Sequence, residues 1–295
     1  FIQNIIDGIM SMIKNIKVAD ITFQIRSDID LIWNEYISQF FMSDKPDTFD
    51  ACYDFYLVPE LPKPTGDIIY HGQDQIIYRH ESGEDRQHFF WMHNEPHMLY
   101  RETSKHKEIF YYKKYEHTLT NQYMIFNALA AEKLFLKKNA MILHSSFIIK
   151  DGKAILFTAP SGTGKSTQAE LWKKYADAEI INGDRSLIQY RNGQWLACGM
   201  PICGSSKICL NKEAPISSII YLEQGKDNLL TPILPAQAVR LLMSETTINF
   251  WNQHFVDQVI RLWSNFVSQI PVYHYSCTKE PDAVTTLSNV LRSGL

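Results

Sequence analysis

Residues 155–172, ILFTAPSGTGKSTQAELW, decide the fold. The first residues are apolar and read as a strand, the middle as a glycine-rich turn, and the end as the first turns of a helix. Ala159-Pro160-Ser161-Gly162-Thr163-Gly164-Lys165-Ser166 follows the pattern G-x-x-x-x-G-K-[ST], with Ala159 in place of the first glycine. Glycines let backbone N–H groups turn inward to cradle phosphate oxygens, and the following helix aims its positive end at the same anion. Ser161, Gly162, Thr163, Gly164, Lys165, Ser166 and Thr167 are therefore the expected nucleotide contacts. Lys165 is placed to reach the outer phosphates, and Ser166 to put its hydroxyl on Mg²⁺. About half of the chain precedes this loop, and that half needs a role.

The chain has 295 residues, 45% hydrophobic and 21% charged, with a net charge of −3. This is ordinary for a globular protein of one large or two modest domains, and it argues against wholesale nucleic-acid binding. Five cysteines, an odd number without framework spacing, suit a reducing cytoplasm. No run reaches the length of a membrane span. Ile2, Ile5, Ile6, Ile9 and Ile13 recur at helical spacing, which predicts a docked amphipathic helix. The absence of a basic lead-in and the presence of Asp7 argue against a signal peptide.

Residues 18–118 read as short aromatic and β-branched strands separated by turn clusters, which predicts an antiparallel meander. The stretches SDKPDTFD and PELPKPTGD interrupt it as loops. The texture changes near residue 119: TNQYMIFNALAAEKLFLKKN is helical, with Thr120 or Asn121 able to cap it. Two strands follow, joined by Asp151-Gly152, a hairpin signal. After the glycine-rich loop come a helix over 165–175, strands AEIING, DRSLIQYR, QWLAC and SSIIYLEQ, helices near 235–247 and 252–268, strand VYHYSC and a final helix. The expected organisation is a β-rich domain over 1–118 and a mixed-sheet α/β domain over 119–295.

The loop alone does not separate a kinase from an ATPase, a GTPase or an ABC-type motor. The metal needs a second acid at a nearby strand end. Asp184, closing AEIINGD, is better placed than Glu223, closing SSIIYLE. No LSGGQ-like stretch follows, which argues against a motor.

His144 lies 21 positions before Lys165, and Asp184-Arg185 begins 19 positions after it. A His on a preceding hairpin, then a phosphate loop, then Asp-Arg resembles the bacterial HPr kinase/phosphorylase family, whose ATP-binding fold is similar to that of phosphoenolpyruvate carboxykinase. The resemblance covers residues 140–190, and more loosely GMPICGSSK and APISSIIYLEQGKDN. It implies a P-loop kinase domain behind an unrelated N-terminal domain, which would explain the late loop. It also implies ATP and Mg²⁺ as cofactors, with Asp184 near the metal and the reacting hydroxyl, His144 in catalysis beside it, and Arg185 following. Two departures stand out: Gly183 replaces the first of the family's paired acids, and Thr167 stands where an acid is usual. The chain looks like a relative rather than an HPr kinase proper.

The expected activity is transfer of the γ-phosphoryl group of ATP to a hydroxyl, on a serine of a small protein or peptide. A small-molecule acceptor and a non-catalytic ATP-sensing module are the alternatives. Neither nucleic acid nor membrane is an expected partner, and the resemblance admits a homo-oligomer. Lys207, in CGSSK, is a further candidate for neutralising the transferred group. The His88, His93, His97 and Glu95 cluster and the Cys198, Cys203 and Cys209 set fit no familiar metal spacing. The run Tyr111 to Tyr115 reads as a solvated strand face rather than a base-stacking platform.

Overall fold

Strand β1 (Met12–Val18) opens a first sheet that also holds β2 (Ile21–Ser27), β3 (Ala51–Val58), β4 (Asp67–His71), β5 (Gln75–His80), β6 (Gly83–Phe90), β7 (Glu95–Thr103) and β8 (Lys107–Tyr112). The structure, a computed structural model, describes residues 11–44, 46–90 and 95–293. It divides into two units, residues 1–134 and 135–295, each treated by itself below. No described helix is long and apolar enough to cross a membrane.

The first sheet runs in the order β1-β2-β3-β8-β7-β6-β5-β4. Strands β4 to β8 form the expected antiparallel meander. Strand β3 departs from it, pairing in parallel with β2 and with β8. Parallel neighbours need a long crossover. The segment between β2 and β3, which contains SDKPDTFD and a 3-10 turn at Glu35–Phe40, supplies one.

The expected N-terminal helix lies mostly outside the described residues; its last member, Ile13, is in β1. The helix expected from residue 119 is a 3-10 turn (Lys113–Thr120), then α1 (Gln122–Ala128), then α2 (Glu132–Lys137). Asn121 does cap α1, its Oδ1 accepting from the Tyr123 N–H at 3.0 Å. Ala130 interrupts the run at φ 47°. Leu129 and Leu134 are both buried although five residues apart, a spacing that would send them to different faces of an unbroken helix.

Unit one buries charge as well as aromatic rings. Arg86 donates to Glu84 and Glu132, each at 2.7 Å. Burial opposes ionisation of Glu102, but Lys133, at 2.6 Å, and Lys107 overcome it and hold its carboxyl down at about 2. A depressed carboxyl stabilises the fold above its unfolded pKa and loses that contribution as pH falls through the folded value. Stability of the wild type should therefore fall between about pH 4.5 and 2, and Glu102→Gln should flatten that part of a urea-denaturation profile against pH.

The second unit is built on β9 (Ala140–Lys150) and β10 (Lys153–Thr158), followed by α3 (Lys165–Ala176), β11 (Glu179–Asn182), β12 (Arg185–Arg191), β13 (Gln194–Gly199), β14 (Glu213–Gln224), β15 (Leu229–Pro232), α4 (Pro235–Ser244), α5 (Gln253–Val267), β16 (Val272–Cys277) and α6 (Asp282–Ser293). The sheet is mixed: β10–β14 and β14–β16 are parallel, and the other ladders are antiparallel. Its long strands change partners along their length. The first half of β9 pairs with β12, and the second half with β10 and β11.

Both faces of β10 are covered, so its residues 154–157 are apolar at every step. Ile155 and Phe157 join Trp172 of α3 and Leu287 of α6 in one core. Ala154 and Leu156 join Leu242 of α4 and Trp263 and Phe266 of α5 in the other. Trp263 is fully buried and its indole donates to Thr246 Oγ1 at 3.0 Å. Trp263→Ala should cost about 3–5 kcal/mol. Thermal unfolding should show it as a melting point lower by roughly 10 °C.

Candidate active site

The site starts from a turn. Asp151 and Gly152 have φ of 50° and 73°, the left-handed pair that a two-residue hairpin requires. This sets the β9–β10 register at Lys150 opposite Lys153, and hence Ser145 opposite Thr158 at the far end. His144 thus arrives beside the glycine-rich loop, its carbonyl accepting from Thr158 Oγ1 at 2.9 Å. On the other edge of β9, His144 is opposite Arg185 of β12.

Asp184 is held by its predecessor. The buried Asn182 accepts with Oδ1 from the N–H groups of Asp184 and Arg185, both at 3.0 Å, and donates with Nδ2 to the Met200 carbonyl at 2.7 Å. The Asp184 carbonyl accepts from the Ser145 N–H at 3.0 Å.

The loop between β10 and α3 turns through Gly162 at φ 81° and Gly164 at φ 116°. A side chain at either would strain the backbone although the space is open. Lys165 is the first residue of α3 and is buried; its Nζ donates to the Ala159 carbonyl at 2.8 Å and the Pro160 carbonyl at 3.2 Å. Ser166 is exposed, its hydroxyl 3.5 Å from the Gly183 carbonyl. Ser161 and Thr167 are exposed, and Thr163 Oγ1 donates to the Pro160 carbonyl at 2.9 Å. Gln224, which no motif marks, braces the loop by donating to the Gly162 carbonyl at 3.1 Å. An open pocket of about 710 Å³ borders Pro160 to Thr163 on the side of Tyr221 and His274. A smaller one of about 260 Å³ borders Gly164 and Thr167 on the side of Thr278.

The charged groups meet on His144. Its Nε2 lies 3.5 Å from Asp184 Oδ1, and its Nδ1 lies 3.5 Å from Glu245 Oε2. Arg185 Nε is 3.5 Å from the other Asp184 oxygen. Burial would raise the Asp184 pKa, but the His144 ring and the Arg185 and Lys165 charges outweigh it and hold the carboxyl below its ordinary value. Burial lowers the Lys165 pKa, against the opposing pull of Glu245 and then Asp184. Glu245 went unread in the sequence: it follows α4 in the run Met243-Ser244-Glu245-Thr246, which matches no motif.

The loop after β13 closes over the acid. Gly204, at φ 55°, is so near Asp184 that a Cβ there would meet its Cβ at 3.0 Å. A Cβ on Gly183 would stand 2.0 Å from Ser206 Oγ, which is tied by donation to the Cys203 carbonyl at 2.6 Å. The side-chain room beside Asp184 is therefore taken by Ser206. Lys207, in the same loop, is exposed with left-handed backbone. Glu223 is removed from this group and pairs with His274 at 2.9 Å.

The other candidates lie elsewhere. His97 is packed among His88, Phe90, Tyr111 and Tyr115, and burial pushes its pKa down to about 4. His93 lies outside the described residues. Among the described residues no group of three or more His, Cys, Asp or Glu side chains is arranged to hold a metal. Tyr111 is buried rather than on a solvated face.

Gly183→Ala should destabilise the second unit by about 1–3 kcal/mol through overpacking against Ser206. The double variant Gly183→Ala with Ser206→Gly should recover most of that loss in thermal unfolding.

Comparison with known proteins gives the family. The model of the family described as SynChlorMet cassette protein ScmC matches residues 116–281, more than half of the chain, and the chain belongs to that family. No curated protein matches it. Among solved structures, the chain is similar to the Hpr(Ser) kinase/phosphatase from Coxiella burnetii, at 11% identity and a TM-score of 0.31, over 52% of this chain and 94% of that one.

Proposed function

We propose that this member of the ScmC family is an ATP-dependent, HPr-kinase-like phosphotransferase that moves the γ-phosphoryl group to a hydroxyl, on a serine of a small protein or peptide. The observation that carries the reading is the His144–Asp184 pair, 3.5 Å apart, beside the glycine-rich strand-to-helix loop whose helix begins at Lys165. Phosphoryl transfer asks for positioning and charge neutralisation more than for covalent chemistry, and this is a positioning site.

Residues 161–167 would hold the phosphates, with Lys165 supplying a fixed positive charge once it leaves the loop carbonyls. The donors facing the cation position, the Ser166 hydroxyl and the Asp184 carboxylate, are oxygens, which suits Mg²⁺. Bound there, Mg²⁺ would neutralise charge on the outer phosphates. Asp184, kept ionised by its neighbours, suits holding a cation better than taking a proton. That leaves His144 Nε2 for the proton. The acceptor oxygen forms its bond to the γ-phosphorus, the bond to the ADP oxygen breaks with its electron pair leaving on ADP, and the hydroxyl proton passes to the imidazole. Arg185 stands beside the acid to balance charge.

The β-rich first unit would then serve acceptor recognition or assembly, and the five cysteines, which form no disulfide among the described residues, suit a reducing, cytoplasmic setting. One observation favours a second reading, an ATP-sensing module. Where a paired acid would stand, Ser206 fills the room over Gly183.

Mg·ATP turnover, with and without an extract of the source cells, separates the two. For a phosphotransferase, Lys165→Ala and Asp184→Ala should each lower turnover about 10²–10³-fold while the melting point holds. Tight ATP binding with no transfer or hydrolysis in any condition would decide for the sensor.

A further inference from the structure

Glu245 takes no part in the reading above, yet the structure spends much on it. Its carboxylate is buried, with a side chain only 8% exposed, and a buried carboxylate is costly unless it is paired. An apolar side chain would suit the spot better if packing were the whole purpose.

The residue grips His144 twice. Its side chain faces Nδ1 at 3.5 Å, and its carbonyl accepts the His144 N–H at 2.8 Å. The grip continues along the chain: Leu143 bridges to Thr246, and the Thr247 N–H donates to the Ile142 carbonyl at 3.0 Å. The segment after α4 is thereby a short strand on the open edge of β9. Its position is set from the other side by Thr246 Oγ1, which donates to the Leu242 carbonyl at 2.6 Å and accepts from the Trp263 indole.

We propose that Glu245 is the positioning residue of this site: it holds the His144 ring from the Nδ1 side, so that Nε2 addresses Asp184 and the transferred proton. The assignment rests on the phosphotransferase reading. It follows from the hold on the ring: Nδ1 faces the Glu245 carboxylate and Nε2 the Asp184 carboxylate, each at 3.5 Å, while the His144 backbone is tied to the Glu245 carbonyl. Without Glu245 the ring could rotate about its side-chain bonds, and Nε2 would leave its place beside Asp184.

The test is a double-mutant cycle on turnover of Mg·ATP, with and without an extract of the source cells, using Glu245→Ala, Glu245→Gln and His144→Ala in the full chain. Glu245→Ala should lower kcat about 100-fold with KM for Mg·ATP within about twofold. Glu245→Gln should recover to within about tenfold of wild type, because its amide oxygen still accepts from Nδ1–H. In the His144→Ala background neither substitution should cause further loss. Losses that multiply instead, a KM that rises at constant kcat, or a Glu245→Ala enzyme equal to wild type would each overturn the assignment. If Glu245→Ala does not fold, the near-isosteric Glu245→Gln carries the same cycle. Wild-type turnover that is absent, or that survives Lys165→Ala, fells the phosphotransferase reading and this assignment with it. Lys165-dependent turnover that ignores Glu245 fells this assignment alone.

Discussion

Strand β9 is the constraint on which the second unit depends. It contacts four partners: β10, β11, β12 and the segment after α4. A strand has only two edges, so four partners require that it change neighbours along its length. The change falls just after His144, where β12 gives way to β11 on one edge and the segment after α4 gives way to β10 on the other. At such a point backbone groups and side chains from several elements converge without any of them leaving its ladder. His144 sits there because of register. A one-residue slip of the hairpin would turn it to the opposite face. The Asp151-Gly152 turn guards against that slip, since left-handed backbone at both positions admits one loop length and one pairing.

This explains which parts of the site were legible in the sequence. His144 and the loop are joined by a hairpin whose turn residues announce themselves, and Asp184 follows the next strand, so local rules reach all three. The apolar run of β10 and the pattern of Lys165, Gln168, Ala169 and Trp172 on the inner face of α3 are equally plain. Glu245 is different. It lies about a hundred residues from His144, and a single glutamate after a helix is ordinarily solvated. Only the tertiary pairing of its backbone with β9 removes it from water. Gln224 is similar, because its hydrogen bond to the loop crosses a parallel ladder that no local pattern fixes. In the first unit the alternating strands were readable and the parallel insertion of β3 was not, since strand character carries no record of which neighbour a strand finds. Ala130 shows the reverse failure: good helix formers are interrupted by its left-handed backbone, and Leu129 and Leu134, five residues apart, are both buried.

The electrostatics of the site are a contest between burial and neighbouring charge, and the outcome differs by residue. For Asp184 the neighbours win, and its carboxyl is held ionised. For Lys165 burial wins, and its ammonium is held less firmly than one in water. The contrast follows from where the charges stand. Asp184 has cationic or ring partners on two sides, whereas Lys165 is surrounded by its own loop, with its anionic partners farther off. On the phosphotransferase reading, a group poised in this way would gain most from an arriving anion.

The loop itself is already shaped for that exchange. Gly162 and Gly164 hold positive φ, and Gln224 braces the turn from outside. What an arriving phosphate must displace is the pair of hydrogen bonds from Lys165 to the Ala159 and Pro160 carbonyls. Each such bond, from a charged donor to a neutral carbonyl, contributes about 1.5–3 kcal/mol net. A hydrogen bond with charge on both partners is shorter and roughly twice as strong as a neutral one, and it adds direct attraction in a site of reduced dielectric. On the proposed reading the carbonyls would act as a resting place that a phosphate outcompetes. They keep the buried ammonium hydrogen-bonded, which avoids the larger cost of leaving it bare, and they cost the loop no change of backbone shape when they let go.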